Sequence, residues 1–174
     1  LSHRVITSKE ALSLDYQPKT MAILGAGHIG LEFATMYHQY GTQVTVINRH
    51  DHLLGQYDED VAQAVEADLK AADVCFKMNA NLVKVDETDD QVYLTFADGQ
   101  TLTVDTLLVA SGRRPNTDQL GLDQTGIQLT DRGAIQVDEH LQTTVPNVWA
   151  LGDVNGGPQF TYISLDDFRI VNNQ

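Results

Sequence analysis

MAILGAGHIGLEFATMYHQYG, residues 21–41, joins an apolar run, a turn built on Gly25, Gly27 and Gly30, and a helical pattern. The spacing is that of a dinucleotide grip. One glycine permits the tight bend, the next lets backbone approach a pyrophosphate, and the third lets helix and strand pack closely. The N-terminus of the helix adds free N–H groups and a positive dipole end, both suited to phosphate. A GxGxxG spacing by itself has little specificity. Its context here supplies the rest: a strand before it, an amphipathic helix after it, and a second strand at the right distance.

Outward from this stretch the pattern continues. Ile29, Phe33, Met36, Tyr37 and Tyr40 recur at steps of three and four, which predicts a helix over 29–40 with an apolar stripe and with Gly41 as its stop. Val44, Val46 and Ile47 form the next strand. After a loop containing Gly55, Asp58 is the expected N-cap of a second helix, with Glu59 and Asp60 favouring its dipole. Val61, Val65 and Leu69 are its expected buried stripe, and a short strand over 74–76 completes a βαβαβ plan.

The period then changes to two. Leu82, Val83 and Val85, then Val92, Leu94 and Phe96, then Leu102 and Val104 read as strands joined at Asp89-Asp90 and Asp98-Gly99. The Asp-Gly pair is a hairpin signal because both central positions tolerate positive φ. Leu107 to Ala110 is a continuous apolar run suited to a central strand buried on both faces. The fold class expected is α/β, a Rossmann-like parallel sheet with helices and an inserted antiparallel β-meander. A second apolar segment, 148–151, precedes Gly152-Asp153, and Phe168 to Val171 opens what reads as a further helix. Residues 1–19, with Pro18 before the first strand, read as a lead-in.

Composition narrows the function classes. The 174 residues are 42% hydrophobic and 20% charged, enough to build a core. Eleven basic against 24 acidic residues give a net charge of −13, a field that repels nucleic-acid phosphates and anionic lipid, so an anionic ligand must be held by local chemistry. No apolar run nears the ~20 residues of a membrane span. Residues 2–10 lack the apolar segment of a signal peptide, and a cytoplasmic location is expected. The single cysteine, Cys75, excludes an internal disulfide or a paired-thiol motif and reads as a small buried hydrophobe. His50 and His52 lack further ligands nearby in the sequence, and we assign no metal.

Three ordered motifs together resemble the class I pyridine nucleotide-disulfide oxidoreductases: GAGHIGLE at 25–32, ASGRRPN at 110–116 and TTVPNVWALGD at 143–153. The wider family includes dihydrolipoamide dehydrogenase, glutathione reductase and mercuric reductase. The tail QFTYISLDDFRIV, 159–171, looks most like a subgroup associated with reactive chlorine resistance and with reduction of copper(II) or hypothiocyanous acid. The resemblance implies three parts: a lead-in from an FAD domain at 1–19, an NAD(P)-binding domain at 20–140, and a returning fragment of the FAD domain at 141–174. It implies FAD and a homodimer in the full-length parent, with the redox cysteine pair outside this stretch, so the stretch alone is expected to be inactive. The expected function is nicotinamide dinucleotide binding within a flavin-dependent disulfide oxidoreductase, passing hydride from NAD(P)H to FAD and then to that disulfide.

The resemblance also places site residues. Gly25, Gly27, His28, Ile29 and Gly30 form the coenzyme loop, with Gly112 and Arg113 at the end of a parallel strand. Arg113 reads almost as well as a structural loop arginine. Glu32 matches an acid near the nicotinamide carboxamide, the alternative being a solvated helix carboxylate. His28 falls where relatives often carry a tyrosine that gates the nicotinamide pocket, against the alternative of a surface histidine. Asn48 stands where an NAD-selective site places its carboxylate, while Arg49 and His50 match the Arg-His of NADPH-using glutathione reductases. Gly55 stands where those enzymes add a second arginine, so NADPH is favoured with NADH possible; Arg49 as a solvated charge is the alternative. Asp153 resembles the aspartate that binds the FAD ribityl chain. The rival readings are a stand-alone nucleotide-sensing Rossmann module without catalysis and an ordinary dehydrogenase fragment. Against the first stands the flavin-type segment at Asp153, and against the second the lack of a Tyr-Lys or His-Asp proton donor.

Overall fold

The computed structural model describes residues 2–173, which fall into two compact units divided between Gly112 and Arg113. In the first, five strands form a wholly parallel sheet: β1 (Val5–Ile6), β2 (Thr20–Leu24), β3 (Gln43–Ile47), β4 (Cys75–Lys77) and β8 (Thr106–Val109). Their spatial order is β1-β8-β2-β3-β4. The lead-in thus contributes an edge strand, with Val5 opposite Leu107 and Ile6 opposite Leu108, and one helical turn, α1 (Ser8–Ala11). In the middle of the sheet Met21, Ala22, Ile23 and Leu108 are fully buried, as a strand covered on both faces requires.

Alternation along the strands divides the core. Met21, Ile23, Val44, Val46 and Leu108 face one cluster, filled by Leu31, Phe33, Ala34 and Tyr37 of α2 (His28–Gln39) and by Ala62 and Leu69 of α3 (Glu59–Ala71). Ala22 and Leu107 face the other, with Val92, Leu94, Phe96 and Val104. The first three come from β6 (Val92–Phe96) and Val104 from β7 (Thr101–Val104), which with β5 (Leu82–Glu87) form a separate antiparallel sheet lying between β4 and β8 in the chain. The expected meander therefore caps the face that the helices leave open. Full burial of each Leu, Ile or Val here contributes roughly 1.5–3 kcal/mol.

Local details differ from expectation. Tyr40 caps the end of α2 and is 62% exposed, while Leu31 and Ala34 join the buried side. On α3 the buried stripe is Ala62, half-buried Val65 and Leu69, and Val61 is 44% exposed, because the helix is turned by one residue toward its small face. Asp58 occupies the N-cap position of α3, but its side chain makes no capping bond. The hairpin at 97–99 has positive φ at Gly99 alone (+82°), with the Gly99 N–H on Phe96 O at 3.0 Å and the Phe96 N–H on Gln100 O at 2.9 Å. This is a three-residue loop with one left-handed position rather than a two-residue turn with two.

Cys75 is exposed, contrary to its reading as a buried hydrophobe. It opens β4, the edge strand, and the buried place goes to Val74 at 3%. The thiol should therefore react stoichiometrically with Ellman's reagent in the native protein. Protection until denaturant is added would contradict this placement.

The second unit is held by isolated antiparallel bridges, Leu129 to Ile135, Val137 to Thr143 and Gln142 to Trp149, and by helix α4 (Thr161–Asn172). Asp167 of α4 is 8% exposed and accepts the Gly152 N–H at 2.8 Å and Asn155 Nδ2 at 3.1 Å. It thereby fastens the 3-10 turn Gly152–Asn155, whose first residue has φ +71° and sits against the Ser164 hydroxyl.

Candidate functional site

The glycine loop lies at the C-terminal end of β2, the end at which open α/β sheets bind ligands. The Gly25 N–H donates to Ile47 O at 2.9 Å, tying the loop to the end of β3. Gly25 has φ +116°, and a Cβ there would lie 2.5 Å from the Ala110 carbonyl oxygen. A Cβ on Gly30 would lie 2.0 Å from the Gly25 carbonyl oxygen. The protein's own backbone therefore demands glycine at both places. Gly27 is different: it is exposed, its φ is −88°, and a Cβ there meets nothing within 4 Å. Folding supplies no reason for a glycine here.

Gly27 is the N-cap of α2, and no side chain caps that end. Its carbonyl accepts the first helical bond, from the Leu31 N–H at 3.0 Å. First-turn amides of such a helix point out of its end. Ile29 is half-buried against the core, while His28 and Glu32 are exposed.

The segment after β3 is ordered by its own hydrogen bonds. The Asn48 side-chain amide donates to His52 O at 2.7 Å, its backbone N–H to Lys77 O at 3.0 Å, and its carbonyl accepts from Ala80 at 2.8 Å. Arg49 is exposed, and its Nε donates to His50 Nε2 at 3.1 Å. Fully buried Leu53 anchors the loop, and the Leu54 N–H donates to Ala26 O at 2.9 Å. Loop and glycine turn are thus one hydrogen-bonded structure, flanked by Ala110 and Ser111, whose backbone abuts Gly25. Gly112 follows with φ +155°. Arg113 opens the second unit and is exposed, as is Asp153 in its 3-10 turn.

Two pairs here escaped the sequence reading. Asp51 and His52 lie 2.6 Å apart, and the hydrogen bond from His52, then the backbone bond and the imidazole's charge, hold the Asp51 carboxyl below its ordinary range. Tyr57 Oη and His28 Nε2 share a hydrogen bond of 3.0 Å, with their rings edge to face at 5.0 Å. Adjacency in sequence could have raised the first pair. The second spans 29 residues and has no local signal. Among the described residues no cluster of three or more His, Cys, Asp or Glu is placed to hold a metal ion, and no helix is long and apolar enough to cross a membrane.

Residues 1–167 match the family model described as pyridine nucleotide-disulphide oxidoreductase, and the chain belongs to that family. The probable pyridine nucleotide-disulfide oxidoreductase RclA of Escherichia coli is 42% identical over 98% of this chain and 38% of its own length. The dihydrolipoyl dehydrogenase of Geobacillus stearothermophilus is 40% identical over 92% of this chain and 35% of its own. Among solved structures, the HOCl-induced flavoprotein disulfide reductase RclA from Escherichia coli superposes with a TM-score of 0.93 at 40% identity, over 99% of this chain and 40% of that one. LpdA from Mycobacterium tuberculosis follows with 0.89 at 31% identity, over 98% and 37%. The chain therefore spans well under half the length of these relatives.

Proposed function

We propose that this chain is the nicotinamide-dinucleotide-binding part of a flavin-dependent disulfide oxidoreductase, with flanks that belong to the FAD domain. Gly27 carries the reading. Two of the three glycines answer to the protein's own backbone, while the third leaves an open space that no protein atom fills, where a diphosphate would lie. The family match and the RclA and dihydrolipoyl dehydrogenase relatives support the same reading.

The roles of the chain's residues follow. Gly25 and Gly30 shape the turn, and the first-turn amides of α2 hold the diphosphate. Arg49 and His50, beyond the end of β3, stand ready for a 2′-phosphate, with Asn48 held in the loop in place of the carboxylate that would accept from a 2′-hydroxyl. His28, Ile29 and Glu32 flank the nicotinamide half, Gly112 and Arg113 follow the C-terminal end of a parallel strand and contact the coenzyme, and Asp153 serves the flavin of the parent. When bound, the reduced nicotinamide supplies a hydride that flavin and a cysteine pair elsewhere in the parent pass on. The preferred coenzyme is NADPH, with NADH a weaker ligand. By the coenzyme each residue serves, the divisions are 1–19, 20–140 and 141–174, whereas the packing units divide after Gly112. A cytoplasmic, homodimeric parent completes the proposal. Isothermal calorimetry on the folded chain is expected to show saturable binding of NADPH and weaker binding of NADH. No heat with either coenzyme would overturn the reading.

A further inference from the structure

Gly27 is bracketed by two ties to a single turn. On one side the Leu54 N–H holds Ala26 O at 2.9 Å, and the Tyr57 N–H returns to Leu54 O at 2.8 Å. On the other the Tyr57 hydroxyl meets His28 Nε2 at 3.0 Å. A closed circuit thus runs from the residue before Gly27 to the residue after it. Its last link is made by two exposed side chains, with Tyr57 43% accessible, so core packing does not account for it. The link fixes one ring nitrogen of His28, Nε2, against the 54–57 turn. His28 is the first residue of α2, and helical side chains lean toward the N-terminal end, the end at which the free amides beside Gly27 lie.

We propose that Tyr57 is a positioning residue: by holding the His28 ring toward the 54–57 turn it keeps the amide face of the glycine loop open to the coenzyme diphosphate. This rests on the dinucleotide reading and adds a residue that neither the motif nor the resemblance marks. Tyr57→Phe retains the edge-to-face ring contact and removes only the hydroxyl, so the fold survives.

The test is calorimetry with NADPH on four chains: wild type, Tyr57→Phe, His28→Ala and the double variant. Tyr57→Phe is expected to weaken binding about fivefold, the effect of one hydrogen bond. In the His28→Ala background, where no ring can fall across the loop, the same change should have less than about a twofold effect. The ¹⁵N shifts of the His28 imidazole should move in Tyr57→Phe without coenzyme, and thermal stability should hold. Unchanged affinity in Tyr57→Phe, or an equal loss in both backgrounds, overturns the proposal while the dinucleotide reading stands. A wild-type chain that binds no coenzyme overturns both.

Discussion

Gly27→Ala is expected to keep its stability and to lose coenzyme affinity, whereas Gly30→Ala is expected to lose both stability and coenzyme affinity. A methyl group on Gly30 would stand 2.0 Å from a backbone oxygen of the same loop, and backbone cannot swing aside as a side-chain tip can. Overpacking of this kind costs about 1–3 kcal/mol or more, which lowers the melting temperature by roughly 4–12 °C for a unit of this size. On Gly27 the methyl group meets no protein atom, and the N-cap backbone there is ordinary for any residue. Exchanging glycine for alanine at an N-cap changes stability by only about a few tenths of a kcal/mol to 1 kcal/mol. The same methyl group would stand where the diphosphate is proposed to lie, so NADPH affinity should fall by at least about tenfold, the effect of one lost or strained charge-assisted contact. Melting curves and calorimetry on the two variants check the contrast. Full-strength binding by Gly27→Ala would remove the main support for a dinucleotide site.

Arg49→Glu should weaken NADPH by about 30- to 100-fold and NADH by less than about threefold, because a charged hydrogen bond to phosphate is worth about 1.5–3 kcal/mol and the new carboxylate adds repulsion. Arg49 is exposed and directed by its Nε bond to His50, and the nearby Asp51 is held by His52 at 2.6 Å. The NADPH effect should shrink as salt rises, since the site is open to solvent. Equal losses for the two coenzymes, or no loss, would show that Arg49 does not read the 2′-phosphate.

How far the sequence carried depended on how local each signal was. The glycine spacing, the apolar run at 107–110 and the two-residue alternation from 82 to 104 each report on neighbours along the chain, and each became the expected element. The edge strand Val5–Ile6 did not, because two residues show no period and their pairing partner lies a hundred positions away at Leu107 and Leu108. Site residues divide in the same manner. Gly25, Gly27 and Gly30 announce themselves, while Tyr57 is unremarkable until the loop folds back on His28.

From residue order alone followed the α/β class, the tight turn, the start of α2 and the net negative charge, since these depend on backbone sterics, short-range periodicity and composition. Tertiary packing alone determined that Cys75 faces water, that α3 buries Ala62 in place of Val61, and that Tyr57 meets His28. Periodicity tells a helix or strand that it has an apolar side, but the neighbours it packs against set how that side is turned and which distant groups come within hydrogen-bonding reach.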